Sequence, residues 1–370
     1  MKRLGFGCMR LPMVGGPEGE VDQRAFQTMV DRFLAEGFTY FDTAHGYLGG
    51  KSETALRTAL VERYPRSAYQ LTDKLTASFI EREEDIRPFF EMQLERTGVD
   101  YFDTYLIHAV TVEHDRKFRA CNAYEVARQL REEGKIRRLG LSFHDSPAFL
   151  EQVLTEHPEL EVVQIQLNYA DWDNPRVESG GVYEVCRRFH KPILVMEPVK
   201  GGALADLPPE GTDILAKLHG GSAASYALRY AASFPGVEMV LSGMSTSEQM
   251  EDNLAVMGDF KPLTEKERAA IDRVRTVLKT QDAIPCTGCR YCVDGCPAHI
   301  PIPQIFACCN EQKRRENWDG RAYYTRCTVE GGKASDCLNC GACEAACPQR
   351  LEVRSLLAQA AQTFETEQHA

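Results

Sequence analysis

Phe26-Gln27-Thr28-Met29-Val30-Asp31-Arg32-Phe33-Leu34-Ala35-Glu36-Gly37-Phe38-Thr39-Tyr40-Phe41-Asp42 sets the pattern from which the rest of the chain can be read. Phe26, Met29, Val30, Phe33 and Leu34 recur at i, i+3, i+4, i+7 and i+8, one apolar stripe of an α-helix, and Gly37 stops it. Phe38 to Asp42 follows as a short β-rich run that ends on a carboxylate. Similar runs occur at Leu4 to Gly7, Tyr69 to Lys74, Tyr101 to His108, Ile136 to Phe143, Val162 to Leu167, Ile193 to Met196 and Glu238 to Leu241. Amphipathic stretches separate them, as in Phe149, Leu150, Val153 and Leu154. Parallel neighbours need crossover helices, and eight such strands close around a filled interior, so residues 1–260 are predicted to form an α/β (β/α)8 TIM barrel. The rival is an open doubly wound sheet. No GxGxxG stands at a strand-to-helix turn to support it.

The composition changes after residue 280. Eleven of the 14 cysteines fall there, while the formal net charge of -11 over 370 residues gives the whole chain no broad attraction for nucleic acid or anionic lipid. No run approaches the length of a membrane-spanning helix, and the start lacks a secretory pattern, so a cytoplasmic protein without membrane or nucleic-acid partners is expected. There, clustered cysteines point to metal rather than disulfides. Thr264 with Glu267 makes a capping box, so residues 261–284 read as a helix and linker. Cys286, Cys289, Cys292 and Cys296, followed by Pro297, return 51 positions later as Cys337, Cys340, Cys343, Cys347 and Pro348. This spacing is that of a ferredoxin-like iron-sulfur domain with two 4Fe-4S clusters, over residues 285–357. Zinc, the rival, favours cysteines in two pairs rather than a run of four. Cys308, Cys309 and Cys327 read as buried small hydrophobes, and residues 358–370 as a flexible tail.

In a barrel the chemistry belongs at the carboxyl ends of the strands. Asp42, Lys74 and His108 end predicted strands, and Tyr47 lies in the loop after Asp42. Phe41-Asp42-Thr43-Ala44-His45-Gly46-Tyr47, Lys74 and Leu106-Ile107-His108 together resemble the aldo-keto reductases, as do Leu4 to Gly7 and Ile136 to Ser142. The resemblance implies catalytic roles: Tyr47 as general acid and base, Lys74 as the cation that favours its phenolate, Asp42 as the anchor of Lys74, and His108 as a hydrogen-bond partner of the substrate oxygen. It also implies NAD(H) or NADP(H) as cofactor and a small carbonyl or alcohol as substrate. Likewise, resemblance to bacterial two-cluster ferredoxins implies that Cys347 joins Cys286, Cys289 and Cys292, and that Cys296 joins Cys337, Cys340 and Cys343.

The cofactor positions depart from the family. Where a lysine and an arginine hold the 2'-phosphate, this chain has Gly243 and Gln249, with Glu248, Glu251 and Asp252 nearby, which favours NADH. Asp252 and Asn253 match the pair that contacts adenine, beside Ser242. Glu197 stands where an aromatic residue stacks on the nicotinamide, and Ser142 and Gln164 are the candidate partners of its amide. Three functions follow from these features. One is a nicotinamide-dependent carbonyl or alcohol oxidoreductase that exchanges electrons with a redox partner protein through its clusters. The second is a cluster-fed reductase using another cofactor, such as a flavin, or direct transfer to substrate. The third is an electron-transfer or docking subunit with an inherited barrel.

Overall fold

A computed structural model describes residues 2–16, 19–314, 320–329 and 331–366. By internal contact the chain divides into two units, Met1–Val199 with Leu204–Val274 and Lys200–Ala203 with Arg275–Ala370.

Among the described residues the first unit contains ten strands, β1 (Leu4–Gly7), β2 (Met13–Val14), β3 (Glu20–Val21), β4 (Tyr40–Asp42), β5 (Gln70–Leu75), β6 (Thr104–Val110), β7 (Leu139–Phe143), β8 (Val162–Gln166), β9 (Ile193–Met196) and β10 (Val237–Gly243). Eight of them, β1 and β4 through β10, close into a parallel barrel in chain order, β10 pairing with β1. The (β/α)8 prediction therefore holds. Helices such as Gln23–Ala35 bury their stripe, here Phe26, Met29, Val30 and Phe33, against the outside of the strands. Inside, Tyr40, Leu106, Val162, Leu194, Met239 and Leu241 form an apolar plug. Its tightness explains Gly140, where an added Cβ would lie 2.3 Å from the Val162 carbonyl oxygen.

Strand ends shift by a few residues from the sequence reading, and three differences stand out. The hairpin of β2 and β3 was not anticipated; its strands are two residues each, too short for a period to register. β6 continues to Val110 rather than ending at His108, and it does so irregularly: Ala109 has φ 53° and the register against β7 shifts between Ile107 and Val110. Such a bulge re-aims the neighbouring side chain. β7 begins at Leu139, Ile136 making only an isolated bridge to Phe102.

The second unit has a core of its own, in which Ile300, Ile302, Ile305, Phe306, Leu351, Val353 and Leu357 are buried. Asn310 pins the linker by accepting from Ile284 N at 2.7 Å and donating to Ile284 O at 2.9 Å. The expected tail from residue 358 is corrected: the helix Val353–Phe364 buries Ala360 and Phe364, and Phe364 stacks on Tyr324 at 5.0 Å. An i, i+3/i+4 stripe through Val353, Leu357, Ala360 and Phe364 is what closes this core. Residues 367–370 lie outside the described residues. Lys200–Ala203, though distant in sequence, groups here, with Lys200 Nζ donating to Gln349 Oε1 at 3.0 Å. The capping box is present at Thr264 and Glu267, opening the helix Glu265–Thr280.

Candidate active site and cluster cradles

Directly beyond the apolar plug the barrel interior becomes polar. Asp42, at the end of β4, accepts from Lys74 Nζ at 2.6 Å through Oδ1 and from Gln164 Nε2 at 2.9 Å through Oδ2. The same ammonium donates to the Thr43 carbonyl at 2.6 Å. Lys74 is fully buried, so its charge is tolerable only because an ionised partner and a carbonyl replace water. The Tyr47 ring lies beside it, 4.8 Å from Nζ to the ring centroid, and the His108 ring is 6.1 Å further, centroid to centroid. Four side chains from three strands and one loop are thereby brought together. Leu48, Gly49 and Gly50, all with positive φ, turn the chain sharply after Tyr47.

His108 shares a hydrogen bond of 2.6 Å between Nδ1 and Thr76 Oγ1. Burial, with the charge of Lys74 and of the neighbouring His144 and His114, pushes its pKa well below the ordinary imidazole value. It is a neutral ring at physiological pH. Thr76 was invisible in the sequence reading because a threonine just after a strand carries no pattern.

The candidate cofactor residues fall into two groups. Gln164 and Ser142 sit side by side in register on β8 and β7. Gln164 is engaged by Asp42, and Ser142 Oγ accepts from Ala109 N at 2.7 Å, fixing the bulge beside His108. Glu197 follows β9 in a left-handed conformation with φ 55°, and its carbonyl accepts from Asn168 Nδ2 at 3.0 Å. Gln166, at the end of β8, is buried and its Nε2 has no partner within the described residues, a donor the sequence reading passed over. At the end of β10, Ser242 Oγ accepts from Asn253 Nδ2 at 3.0 Å, while Asp252 accepts from Ser222 Oγ at 2.5 Å. Gly243 is exposed, with the Arg10 stem beside it at 3.3 Å from where a Cβ would stand, and the Arg10 carbonyl accepts from Ser245 Oγ at 3.0 Å. The segment is not without arginines: the stem of Arg10, from the loop after β1, lies against Gly243, and Arg32 donates to Glu251 through Nε at 2.7 Å and through a terminal guanidinium nitrogen at 3.0 Å. No local motif announces either neighbour.

In the second unit, one cavity is lined by Cys286, Cys289, Cys292 and Cys347, the other by Cys296, Cys337, Cys340 and Cys343. The two halves repeat in detail. Gly288 and Asn339, Arg290 and Gly341, and His299 and Arg350 form three pairs 51 positions apart, and all six residues have positive φ. The short helices Tyr291–Asp294 and Ala342–Ala345 occupy equivalent places. Left-handed residues alternating with right-handed ones turn backbone amides into a concavity suited to an anion. Among the described residues no three His, Cys, Asp or Glu side chains converge closely enough for a lone metal ion. The sulfurs instead surround cavities, as a multi-iron cubane requires and tetrahedral zinc does not. Burial, then the neighbouring cysteines, Cys289 first, raises the Cys292 thiol pKa, a crowding that iron coordination relieves by taking the groups as thiolates. Cys308 is buried and donates to the Gly320 carbonyl at 3.3 Å, outside either cradle.

The model of the aldo/keto reductase family matches residues 3–276. The chain belongs to this family. A 4Fe-4S dicluster domain matches residues 285–352, so this aldo/keto reductase carries an iron-sulfur domain after its barrel. Among its relatives is the L-galactose dehydrogenase of Arabidopsis thaliana, 26% identical over 75% of this chain and 90% of its own length. Another is the NADH-specific methylglyoxal reductase of Escherichia coli, 28% identical over 55% of this chain and 65% of its own length. An aldo/keto reductase of Klebsiella pneumoniae in complex with NADP and acetate shares the fold, with a TM-score of 0.60 and 22% identity over 74% of this chain and 91% of that one. The protein is an oxidoreductase, and no helix among the described residues is long and apolar enough to cross a membrane.

Proposed function

We propose that this aldo/keto reductase reduces a small carbonyl compound at Tyr47, Lys74, Asp42 and His108, with electrons exchanged between its iron-sulfur domain and a redox partner. The observation that carries this reading is the buried Lys74 ammonium, clasped by Asp42 at 2.6 Å and set 4.8 Å from the Tyr47 ring centroid. A nicotinamide dinucleotide supplies or accepts the hydride when bound. Tyr47 gives its proton to the oxygen of the reduced carbonyl, and the Lys74 charge stabilises the tyrosinate that remains. Asp42 keeps Lys74 charged and directed, and Gln164 keeps Asp42 directed in turn. His108, neutral and held through Nδ1 by Thr76, orients the substrate oxygen by a hydrogen bond without competing for the proton. Gln166 offers a further amide donor at the barrel mouth.

The adenosine end would lie along Ser242, Gly243, Asp252 and Asn253. Arg10, whose stem lies against Gly243, is the candidate cation for a 2'-phosphate, so the lack of lysine and arginine from Ser242 to Asn253 does not by itself favour NADH. The relatives carry both names, one NADH-specific and one solved with NADP. The cradles would hold two 4Fe-4S clusters, one on Cys286, Cys289, Cys292 and Cys347 and one on Cys296, Cys337, Cys340 and Cys343. A cubane passes one electron at a time and a hydride carries two, so an obligate coupling needs both clusters or an intermediary.

The test is anaerobic addition of NADH or NADPH to the purified brown protein while cluster absorbance is followed. Bleaching supports linked nicotinamide and cluster chemistry. Nicotinamide oxidation by methylglyoxal without bleaching would confine the clusters to a separate or structural role, and inertness to both would overturn the reading.

A further inference from the structure

Two buried carboxyl groups behind the site are not used by the chemistry above. Asp73 precedes Lys74 on β5, and its alternate parity points it out of the barrel, under the helices Lys51–Leu56 and Ile86–Thr97. It is fully buried; Oδ1 accepts from Lys74 N at 2.8 Å and from Gln93 Nε2 at 3.0 Å, while Oδ2 has no donor. Glu53 is equally buried; Oε2 accepts from Arg96 Nε at 2.5 Å and faces His45 Nδ1 at 2.9 Å, while Oε1 has no donor. Thus, among the described residues, each acid uses one oxygen and leaves the other without a donor, and their partners Gln93 and Arg96 stand three apart, as neighbours, on the helix Ile86–Thr97. Tyr105 closes the set by donating to Gln93 Oε1 at 2.5 Å.

Among the described residues, the guanidinium bonded to this pair is that of Arg96, on Glu53, while the Lys74 ammonium is bonded to Asp42 on the inner side of β5. Burial first, and the Glu53 charge second, push the Asp73 pKa well above the usual carboxylate value. A single shared proton resolves the repulsion and fills both vacant positions at once.

We propose that Asp73 is the neutral acid in the working protein and donates from Oδ2 to Glu53 Oε1, so that the pair braces the Tyr47 loop against the Lys74 strand. Both are positioning residues. One end of the brace holds the loop through His45, two residues before Tyr47, and through Arg96, which also donates to the Gly50 carbonyl. The other end holds the Lys74 backbone amide. Neutrality at Asp73 also matters electrically: ionised, it would add a second anion next to Lys74 and weaken that ammonium's hold on the Tyr47 proton equilibrium. The groups facing the pair are Arg96 and His45 from the loop and helix side, Tyr105 from β6, and Lys74 and Asp42 from the barrel side.

Infrared spectroscopy of the full-length holoprotein at neutral pH tests the protonation without any assay of catalysis. The wild type should show the carbonyl stretch of a buried protonated carboxylic acid, shifted in D2O and missing from Asp73→Asn. Identical spectra for the two proteins would overturn the proposal. The positioning role rests on the reading of Tyr47 as acid and is tested by the pH profile of kcat/KM for carbonyl reduction. Asp73→Asn, the isostere of the neutral acid, should leave the alkaline limb in place. In Glu53→Gln the new amide can donate to Asp73 and ionise it, so that limb should move up by about one pH unit. Asp73→Asn combined with Glu53→Gln should bring it back. A limb that stays put in Glu53→Gln would sink the electrical role. If instead Tyr47→Phe keeps its activity, the reading of Tyr47 fails while the infrared assignment stands or falls separately.

Discussion

The two units hold their reactive groups by opposite means. In the barrel, Asp42, Lys74 and His108 come from three strands and are buried so deeply that each is stable only through partners the closed sheet delivers. In the iron-sulfur domain, eight cysteines come from two short runs, several of them half-exposed and Cys340 exposed, around a small core. The first site is made by the fold. The second is expected to lean on its clusters, because its core is small and ligand bonds made only in the folded state add to the free energy of folding. That difference teaches where each should fail.

The largest expected effect is at Cys347. Its place in the second cysteine run puts it with Cys343, yet it lines the cavity of Cys286, Cys289 and Cys292. Cys347→Ser should therefore remove the cluster of the first run and leave the second, halving the iron content. Loss of the second run's cluster alone, read by iron analysis and electron paramagnetic resonance, would refute the crossed ligand sets. Stripping all iron with a chelator should abolish cooperative unfolding of this unit while the barrel still melts.

Next is Tyr47→Phe. Removing a positioned general acid costs about 10²–10⁴-fold in rate. Carbonyl reduction should fall by that much with the cluster absorbance unchanged, which would sharpen the separation between the units. A parallel loss of clusters would break it.

Asp42→Ala ranks third. Taking one member from a buried ion pair leaves an uncompensated charge and costs about 3–5 kcal/mol. The barrel's melting transition should drop accordingly, with that of the iron-sulfur unit in place, as calorimetry can show. Lys74→Met with Asp42→Leu, which removes both charges, should recover much of the stability and none of the activity.

How much of this was legible follows the same division. The cysteine repeat was readable because metal ligands adjacent in sequence must keep fixed spacing, and even its left-handed turns were half visible, in Gly288, Asn339 and Gly341. Arg290, His299 and Arg350 adopt the same conformation without any residue type that announces it. The barrel was legible from the alternation of strand and stripe, and Asp42, Lys74 and Tyr47 from strand ends and the family motif. What closure brings together was not. Arg10 reaches Gly243, Gln164 reaches Asp42 and the charge of Glu53 bears on Asp73, although the partners stand tens to hundreds of positions apart. The bulge at Ala109 was not legible because alanine carries no turn signal, though it lies beside His108 and re-aims it.

The smallest effect expected is the acid response of His108, and it separates the two units by sign of cause. Its folded pKa lies well below the value of about 6.5 for a free imidazole, because burial and the Lys74 charge oppose protonation. The unfolded chain therefore takes up this proton first. Its contribution to barrel stability is complete above about pH 6.5 and is lost progressively as pH falls below that value, at up to roughly 1.4 kcal/mol per pH unit. His108→Gln removes the titration, so the difference between wild-type and variant melting temperatures of the barrel should shrink or reverse from pH 7 to pH 5. The iron-sulfur unit should also weaken in acid, but because protons compete with iron for thiolates, and its response should be the same in both proteins. A wild-type-minus-variant difference that grew as pH fell would mean that the folded barrel holds His108 protonated, its role then being that of a cation beside the substrate oxygen, whereas a difference that did not change with pH would mean that folding leaves its pKa unshifted.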